Sequence, residues 1–377
     1  MRVMSVVPRI DPSIACWWRM DNVASVLESY GHVVDFVHYG GGTHSTWPDS
    51  QLSKGPHAYF VARRPVIPFK HLRAISSGSY QLVYANMQTA AVHSSLSKIA
   101  DVPMVMDCHG DIVAEYLIQS DRPPYSLGFL LDFSKWKLVD ILSRFVSTRI
   151  VCVSRRMMEA LGRGGVRKSR LIYAPNGADL AFYSPSRVQD SHRIRQNLGL
   201  SHSLVFGYLG GGAKLQGVNM LLDAANKLKE DCCSFLFVGF SKEAKSAGRI
   251  RFLPQVPRAD TPSYYSACDI LVLPRPKHAA TEVASPTKFA EYAAMGKPIL
   301  TTDVGDPADM VREYSCGIVV SKDTSEGLLQ GIQEMLEKPK DELEEMGRRA
   351  RLLAEREFDW RIIGAKLNSA LQEVASN

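Results

Sequence analysis

One stretch of the sequence decides the fold, and it reads Ser285-Pro-Thr-Lys-Phe-Ala-Glu291-Tyr-Ala-Ala-Met-Gly296-Lys-Pro298. It follows the apolar run Ile270–Leu273, which is typical of a buried strand. The pattern predicts a helix that begins near Thr287, carries Glu291 among apolar residues and ends at Gly296. A carboxylate in the first turns of a helix is suited to accept hydrogen bonds from the vicinal hydroxyls of a ribose. The simpler interpretation is a charge that stabilises the helix start.

Outward from this stretch, short apolar runs alternate with helical patterns along the whole chain. Several runs are continuous in Val, Ile and Leu, as in parallel strands that are covered on both faces. This alternation predicts an α/β fold with doubly wound parallel sheets. The predicted strands are Val3–Val7, Val33–His38, Leu82–Tyr84, Met104–Asp107, Ile150–Val153, Leu171–Tyr173, Leu204–Tyr208, Ser234–Val238, Ile250–Phe252, Ile270–Leu273, Ile299–Thr301 and Gly317–Val319.

The length of 377 residues exceeds what one core usually holds, so we expect two domains. The strands form two series, separated by the stretch Ser184–Arg193, which is polar, contains a proline and lacks apolar periodicity. These features are typical of an interdomain linker. We therefore predict an N-terminal domain over residues 1–183 and a C-terminal domain over residues 203–358.

Cysteine usage indicates a reducing compartment. None of the seven cysteines forms a C-x-x-C pair, their number is odd, and they lie in apolar surroundings. Buried reduced thiols are therefore expected rather than disulfides or a zinc site, which points to the cytoplasm. The cysteines are Cys16, Cys108, Cys152, Cys232, Cys233, Cys268 and Cys316.

The net charge of +6 arises in the first half of the chain. Residues 1–180 hold 20 Lys and Arg against 14 Asp and Glu, whereas residues 181–377 hold 25 of each. A merely basic surface, an anionic acceptor and peripheral contact with an anionic membrane all fit this asymmetry. The basic residues do not cluster with aromatic ones, so nucleic acid is not an expected partner. No apolar run approaches the roughly 18–20 residues needed to span a bilayer.

A second motif is the glycine-rich turn Gly210-Gly-Gly-Ala-Lys214-Leu-Gln-Gly217, which follows the predicted strand Leu204–Tyr208 and precedes an amphipathic helix. Glycines let the backbone approach a ligand, and free N–H groups at a helix start favour a phosphate. The turn lacks the G-x-G-x-x-G spacing of a dinucleotide site and the Gly-Lys-Ser/Thr end of a P-loop. A phosphate-binding loop and a purely structural turn both remain open.

Taken together, the motifs resemble those of the retaining glycosyltransferases of family four, which have the GT-B fold. Glu291-Tyr-Ala-Ala-Met-Gly-Lys-Pro, preceded by Ser-Pro-Thr-Lys, is similar to the family's signature. The resemblance extends over the chain but is most specific in residues 268–301. Other segments that match in order and spacing are Asp107-Cys-His109-Gly110, Val151-Cys-Val-Ser154, Pro175-Asn-Gly-Ala-Asp179 and Phe358-Asp-Trp360.

The resemblance implies two Rossmann-like domains that face each other across a cleft, with the helix over residues 359–377 crossing back to the N-terminal domain. The N-terminal domain would bind a glycan or lipid-linked acceptor, and the C-terminal domain a nucleoside diphosphate sugar. Transfer to an acceptor hydroxyl would proceed with retention, without a cofactor or a metal, in glycan, polysaccharide or glycolipid synthesis. His109, Lys288 and Glu291 would be the catalytic residues. The implied donor-binding residues are Gly210, Gly211, Gly212, Lys214, Arg275, Ser285, Pro286, Thr287, Lys288 and Glu291.

The sequence departs from the family's pattern at the diphosphate. The family usually has an Arg and a Lys in the glycine loop, where this chain has Gly211 and Gln216. It also often has a Glu at the position of Val283, which here is preceded by Glu282. A diphosphate needs cations because charge-assisted hydrogen bonds are the strong ones. We expect Lys288 or Arg275, together with Lys214, to supply them.

Two further segments carry expectations. In the resembling enzymes, the region of His109 lies near the reacting sugar, and its role would be to position the sugar or the acceptor; a satisfied polar group at a strand end is the alternative. The amphipathic, basic segment Ser134–Val146 is expected to be a helix that packs on the core, with contact to the inner face of a membrane as the alternative.

Two other functions are compatible with parts of the sequence. A nucleotide-sugar-binding protein without turnover would explain Gly211, Gln216 and Val283. An NAD-dependent oxidoreductase would share the Rossmann-like halves but not the Glu291 stretch.

Overall fold

In a computed structural model of the chain, residues 1–7, 15–38, 59–61, 78–187, 191–200, 204–228, 233–240 and 248–376 are described. They form two compact units, one of Met1–Pro175 with Trp360–Asn377 and the other of Asn176–Asp359. Each unit contains one parallel sheet. The predicted fold class, two Rossmann-like α/β domains with parallel sheets, is confirmed.

The first unit is built on a seven-stranded sheet in the order β3-β2-β1-β4-β5-β6-β7. All residues of β4 and β5 are buried, as expected for strands covered on both faces. The strands are β1 Arg2–Val7, β2 Val33–His38, β3 Tyr59–Val61, β4 Leu82–Asn86, β5 Met104–Cys108, β6 Arg149–Cys152 and β7 Leu171–Tyr173. The helices are α1 Ala15–Ser29, α2 Met87–His93, α3 Ile112–Gln119, α4 Leu127–Val146 and α5 Arg155–Arg163.

The second unit is built on a six-stranded sheet in the order β10-β9-β8-β11-β12-β13. Its strands are β8 Leu204–Leu209, β9 Cys233–Val238, β10 Ile250–Leu253, β11 Ile270–Leu273, β12 Ile299–Thr302 and β13 Gly317–Val320. Its helices are α6 Ser191–Asn197, α7 Val218–Lys227, α8 Thr261–Ser266, α9 Ala279–Glu282, α10 Thr287–Ala294, α11 Gly305–Tyr314, α12 Ser325–Glu337 and α13 Lys340–Leu353.

In both sheets the strand order reverses once. In the second unit the reversal lies between β8 and β11, which pair in parallel although β9 and β10 separate them in the sequence. The connections after β8 and β11 therefore leave the same edge of the sheet in opposite directions. In doubly wound sheets, the crevice formed in this way at the carboxyl ends of the strands is where ligands bind.

The last helix, α14 Trp360–Ser376, belongs to the first unit. Gly364 lets it approach α1 closely, since a Cβ atom there would lie 2.1 Å from Val26 Cγ1. A hydrogen bond of 2.6 Å between His32 Nε2 and Asn368 Oδ1 adds to this contact. The buried apolar residues that α14 contributes to the core of the unit are Trp360, Ile363, Leu367, Leu371 and Val374.

All twelve predicted strands are present, with ends that agree to within two residues. The short strand β3 was not predicted, because three residues are too few to show a period of two. The linker prediction for Ser184–Arg193 was wrong in its second part, where Ser191 begins α6. This helix buries none of its residues, so it has no apolar periodicity to reveal it. Residues 188–190 lie outside the described part of the chain.

The chain passes from the first unit to the second after Pro175, before the predicted end of the N-terminal domain at residue 183. The segment that follows packs on the second unit. Ala178 N–H donates to the carbonyl of Phe358 at 2.8 Å. Arg351 donates to the carbonyls of Tyr183 and Ala294, at 3.0 and 2.7 Å.

The cysteine prediction is confirmed where the structure describes the side chain. Cys232 and the side chain of Cys16 lie outside that part of the chain. The free, buried cysteines are Cys108, Cys152, Cys233, Cys268 and Cys316.

Replacement of Leu371 by Ala should destabilise the first unit by about 2–5 kcal/mol, because it leaves a cavity where α14 meets the core. Leu138→Ala is a matched control, since this leucine is 56% exposed. Urea unfolding of both variants would measure the difference. Equal stabilities would show that α14 is not part of the cooperative core.

Candidate nucleotide-sugar site

The glycine loop and the end of β11 meet where the strand order of the second unit reverses. Gly210 directly follows β8, and Pro274 directly follows β11. Gly217, with φ of +67°, approaches this exit so closely that a Cβ atom would lie 1.7 Å from the carbonyl oxygen of Pro274. A side chain there would collide with the backbone, so the loop requires glycine at this position.

Lys288, near the start of α10, reaches into the glycine loop. Its Nζ donates hydrogen bonds to Tyr208 Oη at 2.8 Å and to Gln216 Oε1 at 2.9 Å, and it lies 4.3 Å from the centre of the Tyr208 ring. A Cβ atom on Gly210 would lie 2.4 Å from Nζ, so glycine leaves room for the ammonium. Both hydrogen-bond partners are neutral. The structure thus brings a cation to Gln216, the position where the family usually has a Lys of its own.

The pKa of Lys288 is lowered to about 7, first by burial of the ammonium and then by the positive charge of Arg275. The charge of Glu291 acts in the opposite direction but does not offset them. Burying a cation without a close counter-ion is unfavourable, and an anionic ligand would relieve the cost.

Arg275 is the second cation at this edge and is 6% exposed. It follows β11 directly after Pro274, and its backbone is held by β12, since Thr302 Oγ1 donates to its carbonyl at 2.6 Å. Its charge lowers the pKa of Lys288, so the two cations lie within electrostatic reach of each other. Two neighbouring cations at the strand-order reversal favour an anion with more than one charge.

Glu291 lies one helical turn after Lys288 and accepts two hydrogen bonds from tyrosines. Tyr183 Oη donates to Oε1 at 2.9 Å, and Tyr265 Oη donates to Oε2 at 2.6 Å. Burial and the adjacent carboxylate raise the pKa of both phenols, so both remain donors. An ionised carboxylate has about four acceptor positions, and two are used here. The tyrosines orient the carboxylate and leave capacity for the hydroxyls of a ligand.

The loop before α10 is held by the start of the second unit. Asn176 N–H donates to Ser285 Oγ at 3.2 Å, and Asn176 Nδ2 donates to the Ser285 carbonyl at 2.5 Å. Pro286 is the N-cap of α10, and Thr287 is its first residue. Two matching segments of the sequence, Pro175–Asp179 and Ser285–Pro298, are therefore in direct contact.

The rest of the glycine loop faces solvent. Gly211, Gly212 and Lys214 are exposed, and Lys214 begins the short 3₁₀ turn Lys214–Gln216. A Cβ atom on Gly211 would have nothing within 4 Å. Gly211 therefore has room for the side chain that the family usually carries there.

Glu282 does not replace the carboxylate that is missing at Val283. Its Oε2 accepts from the N–H of Gly305 at 3.1 Å, at the start of α11. Val283 itself is buried. The side chain of Glu282 thus stabilises a helix N-terminus.

His109 lies in the first unit, directly after β5. Its Nε2 is 3.4 Å from Asp107 Oδ2, and its side chain is 12% exposed. Asp107 is fully buried and accepts from Arg19 Nε and Nη2, at 2.9 Å each, and from Tyr84 Oη at 2.8 Å. Burial alone would raise the pKa of Asp107, but the charges of Arg19 and His109 hold it well below its usual range. His109 therefore lies beside a fixed negative charge.

Sequence reasoning missed several residues that shape these sites. Tyr208 was interpreted as part of a buried strand, and Tyr183 and Tyr265 carried no motif. Arg19 lies 88 residues before its partner Asp107, so no local pattern indicates the pair. The contact of Asn176 with Ser285 had a signal, since both residues lie in segments that match the family.

Comparison with known proteins assigns the class. Residues 203–338 match the protein-family model Glycosyl transferases group 1, and residues 19–182 match the model Glycosyltransferase Family 4. The chain belongs to this family of glycosyltransferases, and its fold is of the GT-B type.

Two relatives illustrate the sequence similarity. The putative colanic acid biosynthesis glycosyl transferase WcaI of Escherichia coli is 25% identical over 201 residues, which are 50% of this chain and 49% of that protein. The chain therefore spans about half the length of this relative. D-inositol 3-phosphate glycosyltransferase of Corynebacterium glutamicum is 24% identical over 297 residues, which are 73% of this chain and 68% of that protein.

Two solved structures have the same fold over the whole chain. Sucrose-phosphate synthase from Thermosynechococcus elongatus has a TM-score of 0.76 and 18% identity, with 100% of this chain and 99% of that chain covered. Anabaena HepE in complex with UDP has a TM-score of 0.76 and 20% identity, with 99% and 100% covered.

The lowered pKa of Lys288 predicts a pH-dependent stability. Between pH 7 and 10.5 the unfolded chain binds a proton that the folded chain does not, so the free energy of unfolding should rise with pH in this window. From pH 7 to 9 the rise is expected to be about 2 kcal/mol relative to Lys288→Met. Urea unfolding at several pH values would measure it. Parallel curves for the two proteins would contradict the lowered pKa.

Proposed function

We propose that the chain is a retaining glycosyltransferase that moves a hexosyl or related group from a nucleoside diphosphate sugar to an acceptor hydroxyl. The observation that carries this proposal is the half-buried Lys288, whose ammonium donates to neutral partners beside Arg275 at the strand-order reversal. A diphosphate there would place negative charge beside the Lys288 ammonium. Family membership supports the same reading.

The nucleoside part of the donor would be held by α10 and the loops around it. Glu291 would accept hydrogen bonds from the ribose hydroxyls with the acceptor positions that Tyr183 and Tyr265 leave. Ser285, Pro286 and Thr287 would form the wall of the site. Gly210, Gly211 and Gly212 would let the backbone approach the phosphates, with Lys214 at the exposed side of the loop.

In the proposed reaction, the bond between the anomeric carbon and the β-phosphate oxygen breaks, and the acceptor oxygen bonds to the same face of that carbon. The acceptor proton passes to the departing phosphate oxygen, so the nucleoside diphosphate leaves with it. Charge develops on this leaving group, and Lys288 and Arg275 would stabilise it. His109, oriented by Asp107, would position the sugar or the acceptor. No protein cofactor takes part in this scheme.

A thermal-shift screen with UDP, GDP, TDP and CMP sugars tests the proposal. A ligand at 100 times its Kd should stabilise the chain by about 2.7 kcal/mol. UDP-glucose is a reasonable first probe because HepE has been solved in complex with it. Product analysis by NMR would test retention at the anomeric carbon. An absence of any shift would count against donor binding.

Loss of Lys288 should weaken donor binding. Lys288→Met removes a charge-assisted hydrogen bond, so the Kd for UDP-glucose should rise about 10- to 100-fold at pH 7, as measured by calorimetry. Lys340→Met is a matched control, because this lysine side chain is 91% exposed. In the unmutated chain the affinity should fall above pH 7, where free Lys288 loses its proton. A Kd unchanged by Lys288→Met would exclude its contact with the diphosphate.

A cation restored to the glycine loop should strengthen binding. A Cβ atom at the exposed Gly211 would meet nothing within 4 Å, and for Gly211→Arg we expect about a tenfold lower Kd for UDP-glucose and partial rescue of Lys288→Met. Gly211→Gln adds a side chain without charge and serves as the control. Equal effects of the two substitutions would place the diphosphate away from this loop position.

The two other functions suggested by the sequence have direct tests. A binding protein without turnover would bind UDP-glucose but release no UDP over time with any acceptor. An NAD-dependent oxidoreductase would quench NADH fluorescence. Neither of these functions explains residues 268–301 as well as a transferase does.

A further inference from the structure

Helix α4 presents an apolar face that is exposed among the described residues of the chain. We call this face the α4 strip; its residues are all exposed, and they are Leu127, Leu130, Leu131, Leu138, Ile141, Leu142 and Phe145. Leu127, Leu131 and Phe145 are 74%, 62% and 71% exposed. Spacings of three, four and seven residues place the members of the strip on one side of the helix. With 20 residues, the helix is about 30 Å long.

The opposite side of α4 packs inside the first unit. Asp140, Ser143 and Val146 are buried there, and the helix contacts α2 and α3. The segment Ser134–Val146 therefore packs on the core as expected, but only with this side of the helix. The α4 strip needs another explanation.

Most of the exposed large apolar residues in the described ranges lie in this region. Of the twelve large hydrophobic residues that are exposed in the described part of the chain, nine lie between Leu117 and Phe145. Single exposed apolar residues are ordinary, but a contiguous patch marks a surface that binds a protein or a membrane. Tyr125, two residues before α4, is 83% exposed and has an aromatic ring of the kind enriched at membrane interfaces.

Basic residues border the α4 strip on both sides. By helical geometry, Lys135 and Lys137 lie about 80° to either side of its centre, and Lys98 Nζ lies 4.5 Å from the centre of the Phe145 ring. The two acidic residues of the helix are neutralised: Asp140 is buried and paired with Arg144, and Asp132 is paired with Arg122.

An apolar strip between cations fits an anionic bilayer. Such a helix lies in the membrane plane, with its apolar face in the acyl boundary and its basic residues at the headgroups. None of the helices in the described residues is long and apolar enough to cross a membrane. A symmetric contact with a second copy would bring the basic borders of two strips together, which is unfavourable.

We propose that the α4 strip docks this chain on the surface of an anionic lipid bilayer. The inference goes beyond donor binding and does not depend on it, because the strip lies in the first unit and the cations of the donor site lie in the second.

Sedimentation with vesicles tests the proposal. The unmutated chain should bind vesicles of phosphatidylglycerol and phosphatidylcholine, should bind pure phosphatidylcholine less, and should be released by salt. Leu131→Gln with Phe145→Gln should lower the partition coefficient about tenfold or more by removing inserted apolar area. Lys135→Gln with Lys137→Gln should lower it about 30-fold on the anionic vesicles.

The control is Leu352→Gln, at an apolar residue of the second unit that is 39% exposed. It should leave vesicle binding unchanged. All substituted residues are exposed, and thermal unfolding would verify that the variants are folded.

Binding that the strip variants do not change would overturn the proposal. So would a dimer in sedimentation velocity that the strip variants dissociate, because a second copy would then be the occupant. The UDP-glucose thermal shift should persist in every strip variant, so failure here is distinguishable from failure of the proposed function.

Discussion

The hydrogen bonds of Lys288 to Tyr208 and Gln216 are the interaction on which the C-terminal site depends. They join the start of α10 to the strand β8 and to the glycine loop, so one ammonium connects three segments. Two glycines of the loop make this arrangement possible because they carry no side chain. Gly210 leaves room for the ammonium, and Gly217 leaves room for the backbone after β11. The glycines of the loop therefore serve the packing of the protein itself as well as the approach of a ligand.

The carboxylate of Glu291, a negative charge, is likewise held by neutral hydrogen-bond partners. A carboxylate in a half-buried place needs donors, and Tyr183 and Tyr265 provide them from two separate segments. The charges of Lys288 and Glu291 are therefore held by neutral hydrogen-bond partners rather than by ion pairs with each other. Asp107 in the first unit is different, because Arg19 neutralises it directly. The negative charge of Asp107 is thus balanced within the protein. The positive charge of Lys288 has neutral hydrogen-bond partners, so an anionic ligand would stabilise it.

Much of the fold could be predicted from the sequence because parallel strands and their helices leave local patterns. The apolar runs identify every strand except β3, and Gly296 correctly marks the end of α10, where it takes a φ of +62°. The boundary of the units could not be predicted, because residues 176–187 are held by contacts with residues distant in the sequence, such as Phe358. Lys288 was among the expected cations. Its neutral partners were not foreseen, since Tyr208 lies 80 residues away and appears in the sequence as a strand residue.

The depressed pKa of Lys288 has a chemical consequence beyond ligand affinity. An amine with a pKa of about 7 is half unprotonated at neutral pH, and the unprotonated form is the nucleophile. Ordinary surface lysines, with pKa values near 10.4, are almost entirely protonated under the same conditions. Lys288 therefore differs from ordinary surface lysines in its intrinsic reactivity towards acylating reagents, and an occupied site would shield it. Its rate of covalent labelling would report occupancy of the site without any knowledge of the sugar transferred.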